Sequence, residues 1–308
     1  MSRIGGRMRR LLARIALALV VLSQPASAAN DADTPTLPAR DAALIAAQVR
    51  ALPAQVPGRV DLYVVGVAGD GNESVFRNEI EHLQRLVSTR LKGGSIALVN
   101  HADSFSARPL PLATPDNLRL ALRGVASVMD PREDLLWVFV TSHGSPDAQV
   151  ALDLFPVVAG GLSATALRSA LDGSGIDHRV VVVSACFSGA FIPALRDPDT
   201  LVITAARRDR TSFGCGSDSD ITYFGRAFLV DGLNATPDFR LAFRAAQRDV
   251  ATLERAEEYD PSLPQLRTGR RIDRILDAWL RTLTVGPAVA FDPPAMPTSE
   301  PAVKTAEQ

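Results

Sequence analysis

Two residues of this sequence, Cys186 and His143, carry side chains that together can perform nucleophilic catalysis. Each follows an apolar run typical of a buried strand: LLWVFVT at 135–141 ends two residues before His143, and RVVVVS at 179–184 ends two residues before Cys186. A thiol is a good nucleophile only as the thiolate, and an imidazole is the side chain best suited to take its proton near neutral pH. If the two strands are neighbours, the pair can attack a carbonyl carbon.

The residue after the histidine supports the same chemistry. Gly144 has no side chain, so its backbone can approach a substrate carbonyl, and its N–H with that of Cys186 is predicted to form an oxyanion hole. Each residue alone also has a structural interpretation. A cysteine after four valines is commonly a small buried apolar residue, and a histidine at a strand end is commonly a surface residue.

The elements that must position this pair alternate along the chain. Apolar runs predict buried strands, and apolar residues at helical spacing predict helices between them. The predicted strands lie at 60–67, 95–100, 135–141, 179–184 and 201–204, and the predicted helices at 75–91, from 115, at 222–231 and at 238–257. This order indicates a three-layer α/β/α fold with a mostly parallel central sheet, which binds ligands at the carboxyl ends of its strands.

The first 28 residues have the pattern of an export signal. They contain five arginines and no acidic residue, an apolar run at 15–22, and the small residues Ala-Ser-Ala at 26–28. The apolar run is short for a bilayer, since a spanning helix needs about 20 residues. We therefore expect export to the periplasm or the medium, with membrane contact only through this signal. An uncleaved signal that anchors the chain is the alternative.

Composition divides the rest of the chain into three parts. Residues 29–56 are rich in Ala, Pro and Asp, which predicts a linker and a short helix at 41–51. Residues 57–285 contain the alternating elements and are long enough for one α/β domain. Residues 286–308 contain five prolines, which predicts a disordered tail.

Charge and cysteine content exclude some classes of function. The formal net charge of the 308 residues is −1, without the basic surface that nucleic-acid binding requires. Four histidines and two cysteines show no metal-ligand spacing, so no metal site is expected. In an oxidising compartment, the two cysteines, Cys186 and Cys215, can also form one disulfide, and this alternative stays open on composition alone.

Four segments resemble a known family. VFVTSHGS at 138–145 and VVVVSACFSGAF at 180–191 resemble the two signatures of legumain-like cysteine peptidases, in the caspase–haemoglobinase superfamily. ITAARRDRTSFGC at 203–215 and TYFG at 222–225 resemble two later family segments, in the same order. The likeness covers about residues 60–231.

The resemblance implies a caspase-like form of the fold and an endopeptidase or transpeptidase acting on a peptide or protein through a thioester. Cys186 would attack the scissile carbonyl, His143 would transfer protons, and the Gly144 and Cys186 amides would hold the oxyanion. No metal or organic cofactor is implied. Because Cys215 matches a family position on a different loop, the resemblance also argues against a Cys186–Cys215 disulfide.

The substrate-binding residues depart from the family pattern. Ser184 stands where legumains have an acidic pocket residue, Ser212 matches a retained pocket serine, and Arg226 stands where the family has Asp. We hypothesise that Arg226 directs cleavage after an acidic residue; the alternative is a solvated helix charge. Asp70 and Asn72 fall near the position of a family residue that orients the histidine, and Asp-Gly-Asn is also a common turn.

Three other functions remain as alternatives. The chain could be a catalytically silent peptide-binding relative, a transpeptidase of the cell envelope, or a structural envelope protein. A serine hydrolase using Ser188 is disfavoured, because the run Ala-Cys-Phe-Ser-Gly at 185–189 lacks the G-x-S-x-G pattern of the serine elbow.

Overall fold

The computed structural model describes residues 36–106 and 108–293 of the chain. The predicted export signal at 1–28 lies outside the described residues, as does the part of the predicted tail from 294 onwards. None of the helices in the described ranges has the length and apolar content needed to cross a bilayer.

The described strands follow the apolar runs of the sequence. They are β1 (Leu62–Ala68), β2 (Gly94–Val99), β3 (Leu135–Thr141), β4 (Gly144–Ser145), β5 (Gln149–Leu154), β6 (Val158–Ser163), β7 (His178–Ser184), β8 (Thr200–Thr204) and β9 (Gln265–Thr268). Six of them form the central sheet, in the order β2-β1-β3-β7-β8-β9. All neighbours in it are parallel except the last pair, β8 and β9.

The described helices cover both faces of this sheet. The α-helices are α1 (Leu37–Arg50), α2 (Ser74–Leu86), α3 (Pro115–Ala126), α4 (Ala164–Asp172), α5 (Ile192–Leu195), α6 (Tyr223–Gly225), α7 (Leu233–Ala235), α8 (Phe239–Ala256) and α9 (Ile272–Thr282). Two π-helices (Val87–Leu91 and Arg226–Gly232) and two 3-10 helices (Ala102–Phe105 and Ser188–Phe191) complete the set.

Two hydrophobic cores lie on opposite sides of the sheet. Trp137 and Phe139 of β3 pack into one core with α2, α8 and α9, whereas Val138 and Val140 pack into the other with α1, α3 and α4. Side chains of a strand alternate between faces, so a strand buried on both faces is apolar throughout, as β1 and β3 are. The predicted three-layer α/β/α fold with a mostly parallel sheet is therefore confirmed.

A small antiparallel sheet, β4-β5-β6, follows His143 and was not predicted. Its strands contain Gly160, Gly161 and several polar residues instead of an apolar run. Asp153 of β5 also forms a parallel bridge with Asp70, which ties the small sheet to the loop after β1.

The amino-terminal helix begins earlier than predicted and belongs to the folded domain. It starts at Leu37, not 41, and its residue Ile45 is 1% exposed in the core. The buried Asp41 accepts hydrogen bonds from Leu112 N at 3.1 Å and from the Asn117 side chain at 2.7 Å. The predicted boundary at 57 therefore leaves out a helix that packs against α3.

The segment from Gly286 to Pro293 is ordered against the domain, so the predicted disorder from 286 is wrong for this part. Gly286 and Arg90 exchange two hydrogen bonds, at 2.8 and 2.9 Å, and Val289 and Asn234 exchange two, at 2.8 and 2.7 Å. Prolines prevent helix formation here, but an extended backbone can still pair with side chains. We call residues 286–293 the C-terminal clasp.

Candidate active site

The register of the sheet brings Cys186 and His143 to one edge. β3 and β7 are parallel neighbours in which Thr141 pairs with Ser184, so each of the two residues lies two positions beyond the paired ends. The two loops touch through their backbones. A Cβ atom on Gly144 would lie 2.2 Å from the carbonyl oxygen of Cys186, so only glycine fits there.

The thiol of Cys186 is half-buried and surrounded by hydrogen-bonding groups. The backbone N–H of Ser212 donates to its Sγ at 3.3 Å, and the Ser212 hydroxyl oxygen lies 3.7 Å from the same atom. Interaction with Cys215, the hydrogen bonds from Ser212 and the nearby His143 together lower the pKa of Cys186 to about 6, against the opposing effect of burial. These contacts favour the thiolate form.

Cys215 follows Ser212 by three residues and lies near this thiol. Its pKa is raised by the hydrogen bond to Cys186 and by burial, so it keeps its proton when Cys186 has lost one. Both cysteines are free thiols in the structure, and the disulfide that composition left open is not formed.

His143 is held by its neighbours on two sides. Its ring packs edge-on against Phe76 of α2, with ring centroids 5.1 Å apart and an interplanar angle of 85°. Its carbonyl oxygen accepts a hydrogen bond from Ala151 N of β5 at 2.9 Å. The adjacent Ser142 hydroxyl donates to the Ala151 carbonyl oxygen at 2.7 Å. The unpredicted small sheet thus fixes the loop that carries the imidazole.

The backbone around Cys186 has features of an oxyanion hole. The Cys186 amide has no hydrogen-bond acceptor among the described residues. The next residue, Phe187, has a left-handed backbone conformation (φ 56°), which turns the chain sharply and is rare for a residue with a large side chain. An open cavity of about 300 Å³ lies beside the other loop of the site, where it is lined by His143, Gly144, Gln149, Val150 and Gly161 among others.

The predicted substrate-binding residues fall into different surroundings. Ser212 contacts the Cys186 thiol directly, and Ser184 is buried at the end of β7, where its carbonyl oxygen accepts from Ser142 N at 3.2 Å. By contrast, the guanidinium of Arg226 lies over the ring of Phe291 in the C-terminal clasp, 4.7 Å from its centroid. This contact does not support the hypothesis of a pocket floor, and sequence could not foresee a partner 65 residues away.

Asp70 adopts the turn that its sequence favours. Its Oδ1 accepts a hydrogen bond from Asn72 N at 2.8 Å, and no hydrogen bond joins its carboxylate to His143 within the described residues. The orienting role that the resemblance suggested therefore receives no support from its contacts. The position next to the imidazole is taken by the Phe76 ring instead.

A buried glutamate, Glu79 of α2, is a site-organising residue that the sequence interpretation missed. Thr222 donates to its Oε1 through both N, at 3.1 Å, and the hydroxyl group. The next residue, Tyr223, donates its N–H to the carbonyl oxygen of Phe213 at 3.1 Å, beside Ser212. Glu79 thus anchors the turn that supports the Ser212 loop. The sequence feature that could have revealed Glu79 is its position one turn after Phe76, as an acidic residue on the apolar face of a helix.

Burial governs the charge of this glutamate. Desolvation raises the pKa of Glu79 to about 6, although the hydrogen bonds from Thr222 favour the ionised form. The position of the Glu79 carboxylate leaves no space at Gly225, because a Cβ atom there would lie 2.0 Å from Glu79 Oε1.

In the described part of the chain, no group of three or more His, Cys, Asp or Glu side chains is placed to hold a metal ion.

Residues 114–272 match the model of the peptidase C13 family, which is more than half of the chain. The chain belongs to the peptidase C13 family. This confirms the family identified from the four sequence segments. The part of this C13 family member that matches includes His143, Gly144, Cys186, Ser212 and Arg226.

The comparison with solved structures finds a caspase. The crystal structure of caspase-1 from Spodoptera frugiperda is similar to this chain with a TM-score of 0.45 and 13% sequence identity. The similarity covers 68% of this chain and 86% of the caspase chain. No curated protein sequence matches this C13 family member.

Proposed function

We propose that this member of a cysteine peptidase family is an active, exported endopeptidase with Cys186 as nucleophile and His143 as proton-transfer group. The observation that supports the proposal is the β3–β7 register, in which Thr141 pairs with Ser184 and His143 and Cys186 each follow two positions later. The lowered pKa of Cys186 supports it, because a thiol with a pKa of about 6 is mostly ionised at neutral pH.

In the proposed mechanism the thiolate of Cys186 attacks the carbonyl carbon of a peptide bond. The negative charge moves to the carbonyl oxygen, where the amides of Cys186 and Gly144 stabilise it. The carbon–nitrogen bond then breaks, and protonated His143 gives its proton to the leaving amine. A thioester remains on Cys186. A water molecule, from which His143 takes a proton, hydrolyses this thioester and regenerates the thiolate.

The structure weakens the serine-hydrolase alternative. The side chain of Ser188 is 0% exposed, and its oxygen accepts a hydrogen bond from Ala206 N at 3.1 Å. A hydroxyl group that is buried and already bonded cannot reach a substrate. Ser188 therefore contributes to holding the turn after Cys186.

A cleavage assay with purified residues 29–308 tests the proposal. We expect this protein to cleave members of a mixed peptide pool, and Cys186→Ala to lose at least about 1,000-fold in kcat/KM because the nucleophile is missing. An envelope transpeptidase would instead join an added amine to the cleaved peptide. A silent relative would cleave nothing and would not be labelled at Cys186 by an electrophilic peptide.

A histidine pair offers a matched control for the imidazole. We expect His143→Ala to lower kcat/KM by about 100-fold or more, the range for removal of a general base. His178→Ala should leave kcat/KM within about twofold, because His178 lies at the opposite end of β7 and contacts the Arg132 carbonyl oxygen. Equal losses in the two variants would contradict the role of His143.

Export is proposed from residues 1–28, whose pattern predicts a cleaved signal. The mature protein would then begin at Ala29 in the periplasm or the medium. Mass spectrometry of the amino-terminal peptide after expression of the full chain measures this directly. A retained Met1 on a protein found inside the cell would contradict the proposal.

A further inference from the structure

A buried carboxyl group lies in the last turn of helix α8, and the proposed mechanism does not use it. Glu254 is 2% exposed, and its Oε1 accepts a hydrogen bond from the backbone N–H of Ser262 at 3.1 Å. Its other oxygen, Oε2, is buried and has no hydrogen-bond partner within the described residues. A carboxyl group that is removed from water and only half paired lowers stability. The stability of the fold alone therefore does not account for Glu254.

Ser262 connects Glu254 to the chain that follows β8. Its carbonyl oxygen accepts a hydrogen bond from Arg207 N at 2.8 Å. Arg207 begins a turn that is closed by a hydrogen bond from Arg210 N to the Arg207 carbonyl oxygen, at 3.0 Å. We call residues 207–210 the arginine turn. Because Ser262 is 1% exposed, water does not compete with its two backbone hydrogen bonds, and they hold the arginine turn in place.

The arginine turn holds the residue that follows the candidate nucleophile. The carbonyl oxygen of Arg210 accepts a hydrogen bond from Phe187 N at 2.7 Å. The two segments also touch directly, because a Cβ atom on Gly189 would lie 2.6 Å from Arg208 N. A residue with a large side chain keeps a positive φ, here 56° at Phe187, only where its surroundings restrain it. The arginine turn provides this restraint one residue after Cys186.

Hydrogen bonds thus run without a break from Glu254 to the backbone beside Cys186. We infer that Glu254 is a positioning residue for the nucleophile, which it fixes through Ser262 and the arginine turn. This inference rests on the proposed function, in which the Cys186 sulfur must meet a carbonyl carbon at the correct distance. A displacement of about 1 Å at a reacting atom can lower a rate by about 100-fold. Loss of the Glu254 anchor should therefore slow the reaction without removing the bound peptide.

The thiol of Cys186 also responds to this anchor. Two residues after the arginine turn, Ser212 N donates a hydrogen bond to the Cys186 sulfur at 3.3 Å. Besides the interaction with Cys215, this hydrogen bond lowers the pKa of Cys186. Release of the arginine turn should weaken the hydrogen bond and raise this pKa. The protonation state of Cys186 is thus a readout of Glu254 that requires no substrate.

Replacement of Glu254 tests the inference in a peptide-cleavage assay. Glu254→Ala removes the acceptor of the Ser262 N–H, and we expect kcat to fall by about 10- to 100-fold with KM within about threefold. Glu254→Gln keeps an acceptor oxygen in the same place and should retain kcat within about threefold of the wild type. Glu254→Asp withdraws the carboxyl group by one methylene and should lower kcat by at least about threefold. The test therefore does not depend on the folding of the alanine variant.

Asp41→Ala is the matched control, because it also removes a buried carboxyl group. Asp41 is 2% exposed like Glu254, and it accepts a hydrogen bond from Leu112 N at 3.1 Å. Its partners Leu112 and Asn117 lie just before and within α3, not at the arginine turn. Both alanine variants should lower the urea midpoint of unfolding, but Asp41→Ala should keep kcat within about twofold. Equal losses of kcat in the two variants would mean a purely structural role and would overturn the inference.

Alkylation of Cys186 with iodoacetamide separates the inference from the proposed activity. The pH midpoint of the alkylation rate should rise by about 0.5 or more in Glu254→Ala and Glu254→Asp, and stay unchanged in Glu254→Gln and Asp41→Ala. If the wild type cleaves no peptide, the proposed activity fails, and this midpoint alone decides whether Glu254 positions the thiol. An unchanged midpoint, or an unchanged kcat, in both Glu254→Ala and Glu254→Asp would overturn the inference.

Discussion

At the scale of single residues, opposing effects determine the protonation state of the Cys186 thiol. Burial favours the neutral thiol, whereas hydrogen bonds from Cys215 and Ser212 and the nearby His143 favour the thiolate. Interaction with Cys215, which keeps its proton, is the largest of the effects that lower the pKa of Cys186. A disulfide between the two would remove both the nucleophile and its donor.

The pH dependence of Cys186 alkylation measures the pKa of this thiol. The rate with iodoacetamide should reach half its maximum near pH 6 in the wild type, instead of near the ordinary value of 9.0. Cys215→Ala removes the donor and should raise this midpoint, whereas Cys215→Ser keeps a donor and should raise it less. Cys186→Ala gives the background from Cys215. A midpoint that is the same in all Cys215 variants would contradict the role of this donor.

The sequence was sufficient to place residues that directly follow the ends of strands. Cys186 and His143 could be placed because parallel strands end at one edge, and Ser212 because its segment resembled a family stretch. Arg226 and Asp70 could not be placed in this way. The side chain of Arg226 is positioned by Phe291, far away in the chain, and that of Asp70 by the amide of Asn72.

At the scale of elements, helix α2 links the two loops of the candidate site. Phe76 contacts the imidazole of His143, and Glu79, one turn later, holds Thr222 and thereby the Ser212 loop. The same helix packs its apolar residues against β1. The relative position of the two loops therefore depends on one rigid element.

Glu79 should make stability depend on pH. Its pKa is raised by burial from the ordinary 4.5 to about 6, so the folded state favours the protonated form. Protonation of Glu79 therefore contributes up to about 2 kcal/mol to the free energy of unfolding. This contribution is fully present below pH 4.5 and is lost as pH rises through 6. Relative to Glu79→Gln, the wild type should lose that much free energy of unfolding between pH 4.5 and 7, measured by urea denaturation. A difference that is constant with pH would contradict a buried, titrating Glu79.

Gly225 should tolerate no side chain. A Cβ atom would lie 2.0 Å from Glu79 Oε1, so Gly225→Ala must displace the buried carboxylate or the turn, and should cost about 1–3 kcal/mol of stability. Gly160→Ala is the control, because a Cβ atom there has no neighbour within 4 Å. Its stability should stay within about 0.5 kcal/mol of the wild type. Similar losses in the two variants would contradict the packing at Gly225.

The elements that sequence predicted are those with a strong apolar pattern. β1, β3 and β7 were predicted within about two residues of their observed ends, because strands buried on both faces are apolar throughout. The sheet β4-β5-β6 was missed because its strands are partly exposed and glycine-containing. Helix α1 was predicted too short, because Pro38 near its start resembled a linker residue although proline is favoured in the first helical turn.

At the scale of the whole molecule, the C-terminal clasp connects parts of the domain that are distant in sequence. Gly286 pairs with Arg90 at the end of one π-helix, and Phe291 packs on Arg226 at the start of the other, and on His82 of α2 at 5.6 Å. Burial lowers the pKa of His82 to about 4, so this contact is made by a neutral ring at physiological pH. Composition could not predict these contacts, because a proline-rich segment carries no periodic pattern.

Removal of the Phe291 ring tests whether the clasp stabilises the fold. Phe291→Ala should lower the free energy of unfolding by about 1–2 kcal/mol, less than a fully buried aromatic residue would cost, because Phe291 is half-buried. The exposed neighbour Asp292 gives the control, and Asp292→Ala should change stability by less than about 0.5 kcal/mol. Chemical denaturation measures both. Equal values would contradict a stabilising clasp.

The backbone of Gly144 lies against the carbonyl oxygen of Cys186, with no space for another atom between the two loops. A chimera that imported only 135–145, or only 178–188, from another family member would have to reproduce this fit by chance. We expect hybrid proteins to retain their catalytic geometry only when both segments are grafted together, as one inherited unit.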